Sequence, residues 1–251
     1  MKATCLYCQE SYDPEAPELE REERWQPSDF CSLRRATRDW RNFATGKIPL
    51  GYFDTDPERL NCKAQIREVQ RWIDDRLMLR GSHGLLLHGQ LSGTGKTRLG
   101  TLAFNAEVLR QWSGRKAEER NIRTGEDSPS GLWFNINGFL TQYRRLMRDA
   151  EQKGLWQEEL TSAYVLFLDD VDKMKPTEGL TELLFAIFDD RLSNCRETIL
   201  TTNLNGEALA ARWGEEVGPY LVRRLRDYCL CIDFDQAGEV SNVIPLQKEA
   251  S

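Results

Sequence analysis

The chain has 251 residues, enough for one large domain with a small appendage. Its hydrophobic fraction of 40%, charged fraction of 29% and net charge of -6 are ordinary for a globular protein and exclude one that coats nucleic acid over its whole surface, while leaving room for a local basic face. No apolar run approaches the roughly 18 residues that span a bilayer, and the first residues lack the apolar core of a secretory signal, so we expect a cytoplasmic protein without a membrane segment.

Residues 1–35 contain three of the seven cysteines and too few apolar residues to build a core unaided. An odd number of cysteines without an export signal argues against a disulfide framework. Cys5 and Cys8 have the spacing that holds a tetrahedral Zn²⁺, and Cys31 follows, but Arg34 stands where a second C-x-x-C would be completed. Two interpretations stay open: a Zn²⁺ site, or free thiols in a small segment that docks on a partner.

Residues 36–80 are predicted to form a connector and a leading helix. Glycine and proline interrupt the first part, and Asn61 is a favourable N-cap for the second. Five apolar residues follow at helical spacing: Ile66, Val69, Trp72, Ile73 and Leu77. We expect this helix to pack against the domain that follows.

Residues 81–236 alternate short apolar runs with helical patterns. Strands are predicted at GLLLH, LWFNI, YVLFL, TILTT and CLCIDF, with helices at 97–112, from about Gly138, at 177–193 and as short helices before the last strand. Near-continuous apolar strands separated by helices indicate an α/β three-layer sandwich with a five-stranded parallel sheet. Residues 113–131 are predicted to form an exposed loop, and residues 237–251 a carboxyl-terminal tail.

The segment LLLHGQLSGTGKTRL, residues 85–99, has the features of a phosphate-binding loop. A strand, a glycine-rich turn and a helix start surround phosphate oxygens with backbone N–H groups and the positive end of a helix dipole. The predicted nucleotide-binding residues are Gly93, Thr94, Gly95, Lys96 and Thr97, with Lys96 on the β and γ phosphates and Thr97 on Mg²⁺. The loop is either one residue longer at its start, after Gly89, or has Gln90 in the position of its first glycine.

Two further strand ends carry polar groups suited to nucleotide hydrolysis. In YVLFLDD, with this strand beside the first strand, Asp169 would lie near the Mg²⁺ of Thr97, and Asp170 could orient or deprotonate the attacking water. Asp170 is shorter than the glutamate of many hydrolytic ATPases, which leaves turnover open but not binding. In TILTTNL, Asn203 could hold that water or contact the γ-phosphate, although asparagine after a strand is also common turn chemistry.

Two basic helices are further candidates. In VRRLRDYC, Arg224 is the candidate arginine finger, with Arg223 and Arg226 as neighbours, and a solvated helix face is the alternative. The helix from Gly138 is predicted to have an apolar face and a basic one. The apolar face comprises Phe139, Leu140, Tyr143, Leu146 and Met147, and the basic face comprises Arg144, Arg145 and Arg148.

The blocks GTGKT, VLFLDDVDKMKPTEGLTELLFAIFDDRL, TILTTNL and RRLRDYC together resemble the DnaC/DnaI/IstB family of AAA+ ATPases, over roughly residues 40–236. The resemblance implies a nucleotide-dependent homo-oligomer with ATP between neighbouring subunits, Asn203 as sensor and Arg224 as a finger acting in trans. It also implies contact of the basic helix after Gly138 with single-stranded DNA, where a solvated amphipathic helix is the alternative. The chain departs from the family at Lys173, where glycine is usual. Because the chain ends soon after its last predicted strand, we expect no helical lid.

This resemblance implies a replicative DNA helicase loader that binds ATP, Mg²⁺ and a helicase and hydrolyses ATP weakly, stimulated by assembly, DNA or partner. The three cysteines then resemble a decayed form of the zinc-ribbon-like amino-terminal modules of some loaders. An IstB-like helper that stimulates a transposase is the alternative, although the cysteine-containing amino terminus favours the loader. A nucleotide switch with little turnover is a third possibility, because of Asp170.

Overall fold

The computed structural model describes residues 3–4, 11–12, 48–53, 55, 60, 62–77, 82–114, 131–146, 148–175 and 177–235. The chain divides into two compact units, Met1–Pro49 with Glu107–Pro129 and Leu50–Ala106 with Ser130–Ser251. In the first unit, β1 (Ala3–Thr4) pairs antiparallel with β2 (Ser11–Tyr12). The domain boundaries inferred from the sequence stay a prediction.

The remaining elements include the predicted strands and helices in their predicted order, together with others that the sequence did not predict. They are α1 (Leu50–Phe53), α2 (Lys63–Leu77), β3 (Gly84–His88), α3 (Lys96–Gly114), β4 (Gly131–Asn135), α4 (Ile136–Leu146), α5 (Ala150–Ser162), β5 (Val165–Asp169), a 3₁₀ turn (Val171–Lys173), α6 (Glu178–Ser193), β6 (Glu197–Thr202), α7 (Gly206–Trp213), α8 (Gly218–Tyr228) and β7 (Cys229–Asp233). All five predicted strands are confirmed to within about two residues, the usual uncertainty of element ends.

The sheet of the second unit is parallel throughout and has the strand order β4-β5-β6-β3-β7. The prediction of a five-stranded parallel sheet in an α/β three-layer sandwich is therefore confirmed. The expectation that the strand of Asp169 lies beside the first strand is wrong, because β6 is hydrogen-bonded between β3 and β5. Strand order follows from long-range packing, which local apolar patterns do not encode.

Burial along the strands follows from this order. The inner strands β5 and β6 are buried at every residue, and β3 at all but His88, whereas the edge strand β4 has no buried residue. Strands buried on both faces are typically near-continuous apolar runs in the sequence. Each large apolar side chain removed from water stabilises the fold by about 1.5–3 kcal/mol. The carboxyl ends of β3, β5 and β6 consequently lie side by side at one edge of a rigid core.

The helix expected from Gly138 differs from the prediction because the structure has two helices there. α4 begins at Ile136 and ends at Leu146, and Asp149, in an extended conformation, caps α5 by accepting a hydrogen bond from the Gln152 N–H at 3.0 Å. An aspartate followed three residues later by glutamine is a helix-start signal, which explains the break. Arg148 therefore lies between the helices rather than on a continuous basic face.

The leading helix α2 is confirmed, with Val69, Trp72 and Ile73 buried. Three predicted features lie outside the described residues: the cap Asn61, residues 115–130 of the exposed loop, and the tail after residue 235. The prediction that the chain has no helical lid concerns this tail and stays a prediction. None of the described helices has the length and hydropathy needed to cross a bilayer.

Candidate functional site

The phosphate loop, residues 89–95, connects β3 to α3. Gly93 and Gly95 have φ of 75° and 99°, a region that residues with side chains rarely adopt. Gly89 is also required, because a Cβ there would lie 2.9 Å from the Cβ of Phe234. A glycine is thus needed where the loop starts, which favours the first alternative, a loop one residue longer after Gly89.

Lys96 begins α3 and turns back into the loop. Its side chain is 6% exposed, and its ammonium donates to the carbonyl oxygens of Gly89 at 2.7 Å and Leu91 at 2.8 Å and to Thr94 Oγ1 at 3.3 Å. Burial lowers the pKa of Lys96, and the nearby carboxylate of Asp235 opposes that effect. The ammonium is therefore placed within the loop, with its three hydrogens shared among loop oxygens that a phosphate could replace.

Asp169 ends β5 and meets α3 despite the intervening strand. Its Oδ1 accepts hydrogen bonds from Thr97 Oγ1 at 2.8 Å and from Thr201 Oγ1 at 2.6 Å. Burial raises the pKa of this carboxyl, and the two hydroxyl hydrogen bonds act in the opposite direction. Thr201 lies on β6 and had no signal in the sequence beyond its place in an apolar run. A hydroxyl and a carboxylate in contact form a donor set that fits a hard cation such as Mg²⁺.

Asp170 adopts a left-handed conformation, with φ of 59° and ψ of 45°, which aspartate tolerates better than most residues. Its N–H donates to Thr201 Oγ1 at 2.8 Å, so the same threonine fixes both acidic residues. The Asp170 carboxylate forms an ion pair with Lys173 and accepts a hydrogen bond from Asn203 Nδ2 at 3.3 Å. The side chain proposed to act on water is thus held by two partners.

Asn203 follows β6 and is oriented by Asp172, a residue that the sequence did not single out. Asp172 is 9% exposed and accepts hydrogen bonds from the backbone N–H of Asn203 at 2.8 Å and from its Nδ2 at 3.3 Å. The amide of Asn203 is therefore held between two carboxylates, those of Asp170 and Asp172. This arrangement fixes the position of the residue proposed as sensor.

An open cavity of about 780 Å³ lies beside the phosphate loop, and Asp169, Thr201 and Asp172 are not among its lining residues. It is lined by residues 91–98, which include all five predicted nucleotide-binding residues, by Asp170, Lys173 and Asn203, and by Tyr52 and Leu60. Sequence reasoning missed Tyr52 and Leu60, because both lie in the segment that was predicted to be a connector; Tyr52 is in fact part of α1. Leu60 lies near the loop, since its Cδ2 would be 3.6 Å from a Cβ on Gly95. The cavity therefore has a phosphate-loop side and a side with an aromatic and an aliphatic residue.

Comparison with solved structures identifies similar folds. The DnaC helicase loader matches with a TM-score of 0.51 and 20% identity, over 72% of this chain and 94% of that one. DnaI matches with a TM-score of 0.52 and 19% identity, over 74% and 94%. Domain III of the Thermotoga maritima replication initiation protein DnaA gives 0.53 and 15%, over 73% and 67%. The chain therefore shares the fold of the DnaC helicase loader and of DnaI.

The resemblance to AAA+ proteins of this type is thus confirmed at the level of the fold. The match spans 45% of the DnaA chain from Aquifex aeolicus and 46% of a DNA replication initiation factor, so less than half of each. No protein-family model matches the chain, and no curated protein matches it.

The candidate finger Arg224 is held on the surface of α8. Its guanidinium donates to Tyr220 Oη at 2.9 and 2.7 Å and forms an ion pair with Asp189 at 3.0 Å. Arg224 does not line the cavity of its own chain. Of the neighbouring candidates, Arg223 has a side chain 70% exposed and Arg226 one 28% exposed. A role of any of them in a neighbouring subunit stays a prediction.

The predicted basic face is only partly present. Arg144 and Arg145 are exposed in the last turn of α4 and Arg148 is exposed beyond it, whereas Tyr143 is 6% exposed and offers no ring for stacking with bases. Contact of these arginines with single-stranded DNA stays a prediction that rests on charge.

The proposed zinc ligands Cys5, Cys8 and Cys31 lie outside the described residues. Among the residues that the structure describes, no three histidine, cysteine or acidic side chains are grouped as metal ligands. The four described cysteines are free thiols, and burial raises the pKa of Cys231 to about 12. The Zn²⁺ prediction therefore stays untested.

Proposed function

We propose that this chain binds ATP and Mg²⁺ in the cavity at the carboxyl ends of β3, β5 and β6. The observation that carries the proposal is the contact of Thr97 with Asp169 at 2.8 Å beside a glycine-rich loop that holds Lys96. Backbone N–H groups at the start of α3 would receive phosphate oxygens, and the Lys96 ammonium would exchange loop carbonyls for a phosphate. Tyr52 and Leu60 would contact the base, since they supply the apolar wall.

Within this proposal, Thr97 and Asp169 would hold Mg²⁺, which neutralises charge on the β and γ phosphates during their separation. Asp170 would accept a proton from the attacking water or orient it, and Asn203 would hold that water in line. Asp170 must first leave its ion pair with Lys173. Since Arg224 does not line the cavity of its own chain, Arg224 could act as a finger only on the nucleotide of a neighbouring subunit.

We therefore infer weak ATPase activity that depends on assembly. Activity per subunit should rise with protein concentration, because an isolated subunit lacks the finger. It should rise further with single-stranded DNA or a partner. Rapid hydrolysis that does not depend on concentration would contradict this part of the proposal.

The nucleotide site is tested with Lys96→Ala and a fluorescent ATP analogue. The variant should lose binding in the presence of Mg²⁺, because the cavity loses the ammonium placed within the phosphate loop. Lys153→Ala on α5 is the matched control, since it removes a lysine away from the cavity and should leave the affinity unchanged. Equal affinity of wild type and a folded Lys96→Ala would remove the basis of the proposal.

For the cellular role we propose a replicative DNA helicase loader. Support comes from the likeness in fold to the DnaC helicase loader and to DnaI, each covered over 94% of its length, and from exposed Arg144 and Arg145 as a site for single-stranded DNA. In a loading assay, the chain with ATP should place a ring helicase on circular single-stranded DNA. Stimulation of a transposase without any loading would instead support the IstB-like alternative.

A further inference from the structure

The chain segment after β7 is hydrogen-bonded to the start of the phosphate loop. The Phe234 N–H donates to the carbonyl oxygen of His88 at 2.8 Å, which continues the β3–β7 ladder. The Asp235 carboxylate then accepts two backbone N–H groups of the loop, that of Gln90 at 2.6 Å and that of Leu91 at 3.2 Å. Asp235 itself does not line the cavity, whereas Leu91 does.

The contact is tight and directional. Gly89, with φ of 152°, passes so close that a Cβ there would lie 3.2 Å from Asp235 Oδ1 as well as 2.9 Å from the Cβ of Phe234. The Asp235 N–H donates to Asp233 Oδ1 at 2.8 Å. This hydrogen bond restrains the backbone of Asp235 and therefore the position of its carboxylate. Two successive backbone N–H groups form a small anion-binding concavity, and here the anion is a side chain of the same protein.

This arrangement bears on the additional residue of the loop. With Gly89 as the first glycine of the loop, five residues lie between it and Gly95, where the usual motif has four. Asp235 fixes Gln90 and Leu91, so their N–H groups face the end of β7 and the phosphates are left to the part of the loop nearer α3. Without this contact, Gln90 and Leu91 would have to be ordered when phosphate binds. Ordering one residue would lower the affinity by about five- to thirty-fold.

A carboxylate beside a phosphate site also has an electrostatic effect. Asp235 supports the charge of Lys96, yet it repels the phosphates that Lys96 would bind. These effects oppose each other, so the sign of a mutation separates them. If anchoring dominates, removal of the carboxylate weakens binding, and if repulsion dominates, removal strengthens it.

We infer that Asp235 is a positioning residue for the phosphate loop, which anchors its additional residue to β7 and so leaves the phosphate-binding N–H groups in place. This inference rests on the proposed ATP site. It assigns to Asp235 no contact with the nucleotide, only control over the loop that makes the contact.

The test measures the affinity for ATP and for tripolyphosphate, both with Mg²⁺, by titration calorimetry on the full chain. Asp235→Ala should weaken both ligands by about tenfold, because two charge-assisted hydrogen bonds are lost. Asp235→Asn keeps one acceptor oxygen but turns its NH₂ group toward the other loop N–H, so it should weaken both ligands by less than Asp235→Ala does. Glu182→Gln, on the exposed side of α6, is the control for the loss of one negative charge and should change neither affinity.

Unchanged or tighter binding by Asp235→Ala, with wild type binding in a Lys96-dependent manner, overturns the positioning role and leaves the ATP site intact. A lower Tm with an unchanged Kd would mean a purely structural contact, which also overturns it. If Asp235→Ala does not fold, Asp235→Asn decides, because weaker binding of both ligands supports the anchor, whereas unchanged or tighter binding overturns it. Failure of wild type to bind either ligand overturns both proposals.

Discussion

Arg191 is a fully buried arginine on α6, and its replacement by methionine should strongly destabilise the fold. The side chain is 0% exposed. Its guanidinium donates to five acceptors that join the end of α5 to the start of β6: the carbonyl oxygens of Leu160 at 2.9 Å, Thr161 at 3.2 Å, Ala163 at 2.7 Å and Glu197, and Thr198 Oγ1 at 3.0 Å. Four of these contacts lie where water does not reach.

The expected loss follows from those acceptors. A buried acceptor without a donor costs about 1–3 kcal/mol, so four of them cost at least about 4 kcal/mol. Burial lowers the pKa of Arg191 to about 9, so the side chain is still charged at neutral pH and its burial costs free energy. Methionine removes this cost, which offsets part of the loss. We therefore expect Arg191→Met to lower the free energy of unfolding by about 3 kcal/mol. Arg191→Lys should lose nearly as much, because three hydrogens cannot serve five acceptors.

Urea unfolding at neutral pH, followed by tryptophan fluorescence and circular dichroism, measures this loss. Arg212→Met is the matched control, because Arg212 is exposed on α7 and its loss should change stability by less than about 0.5 kcal/mol. A change below about 1 kcal/mol for Arg191→Met, with an unchanged urea dependence, would refute the argument.

Three further predictions concern the site. Arg224→Ala should keep its affinity for ATP, while its rate of hydrolysis should fall by about a thousandfold. Mixing this variant with Lys96→Ala, whose subunits keep the finger, should restore part of the activity. No recovery in a co-assembled mixture would point to Arg223 or Arg226. Lys173→Ala should raise kcat by about two- to fivefold, because it frees Asp170 from a half-exposed ion pair; a lower kcat would mean that the ammonium assists the reaction. Burial lowers the pKa of His88 below its ordinary 6.5, so the unfolded chain binds the proton more readily and stability should fall as the pH drops below 6.5. Urea titrations on either side of that pH should show a smaller change in His88→Asn.

Much of the fold could be predicted because β3 and β5 are built around unbroken apolar runs and β6 has Ile199 and Leu200 at its centre. GLLLH, VLFLD and ETILTT are buried almost throughout, and a strand of this kind is visible without knowledge of its neighbours. The phosphate loop was recognisable for a similar reason, because Gly93 and Gly95 adopt backbone conformations with positive φ that a local sequence pattern can reveal. The helix start at Asp149 also had a local signal, which the prediction of a longer helix overlooked.

The remaining parts depend on contacts between distant segments. The place of β6 between β3 and β5 is a property of the whole sheet, and it is what brings Thr201 to Asp169 at 2.6 Å. Asp172 and Asp235 are acidic residues like many others in the sequence until the fold sets them against Asn203 and Gln90. Polar side chains that position a site leave no periodic pattern, so the sequence gives no means of selecting them.

A crystal structure of the chain with AMPPCP and Mg²⁺ is the most direct test of the central claim, that this cavity binds ATP. The account predicts that the phosphates contact the backbone N–H groups at the start of α3 and Lys96 Nζ, with Mg²⁺ about 2.1 Å from Thr97 Oγ1. The Asp169 carboxylate should bind that ion directly or through its water, and Asp235 should still accept from Gln90 and Leu91. A nucleotide bound elsewhere, or a cavity without nucleotide at saturating concentration, would contradict the account.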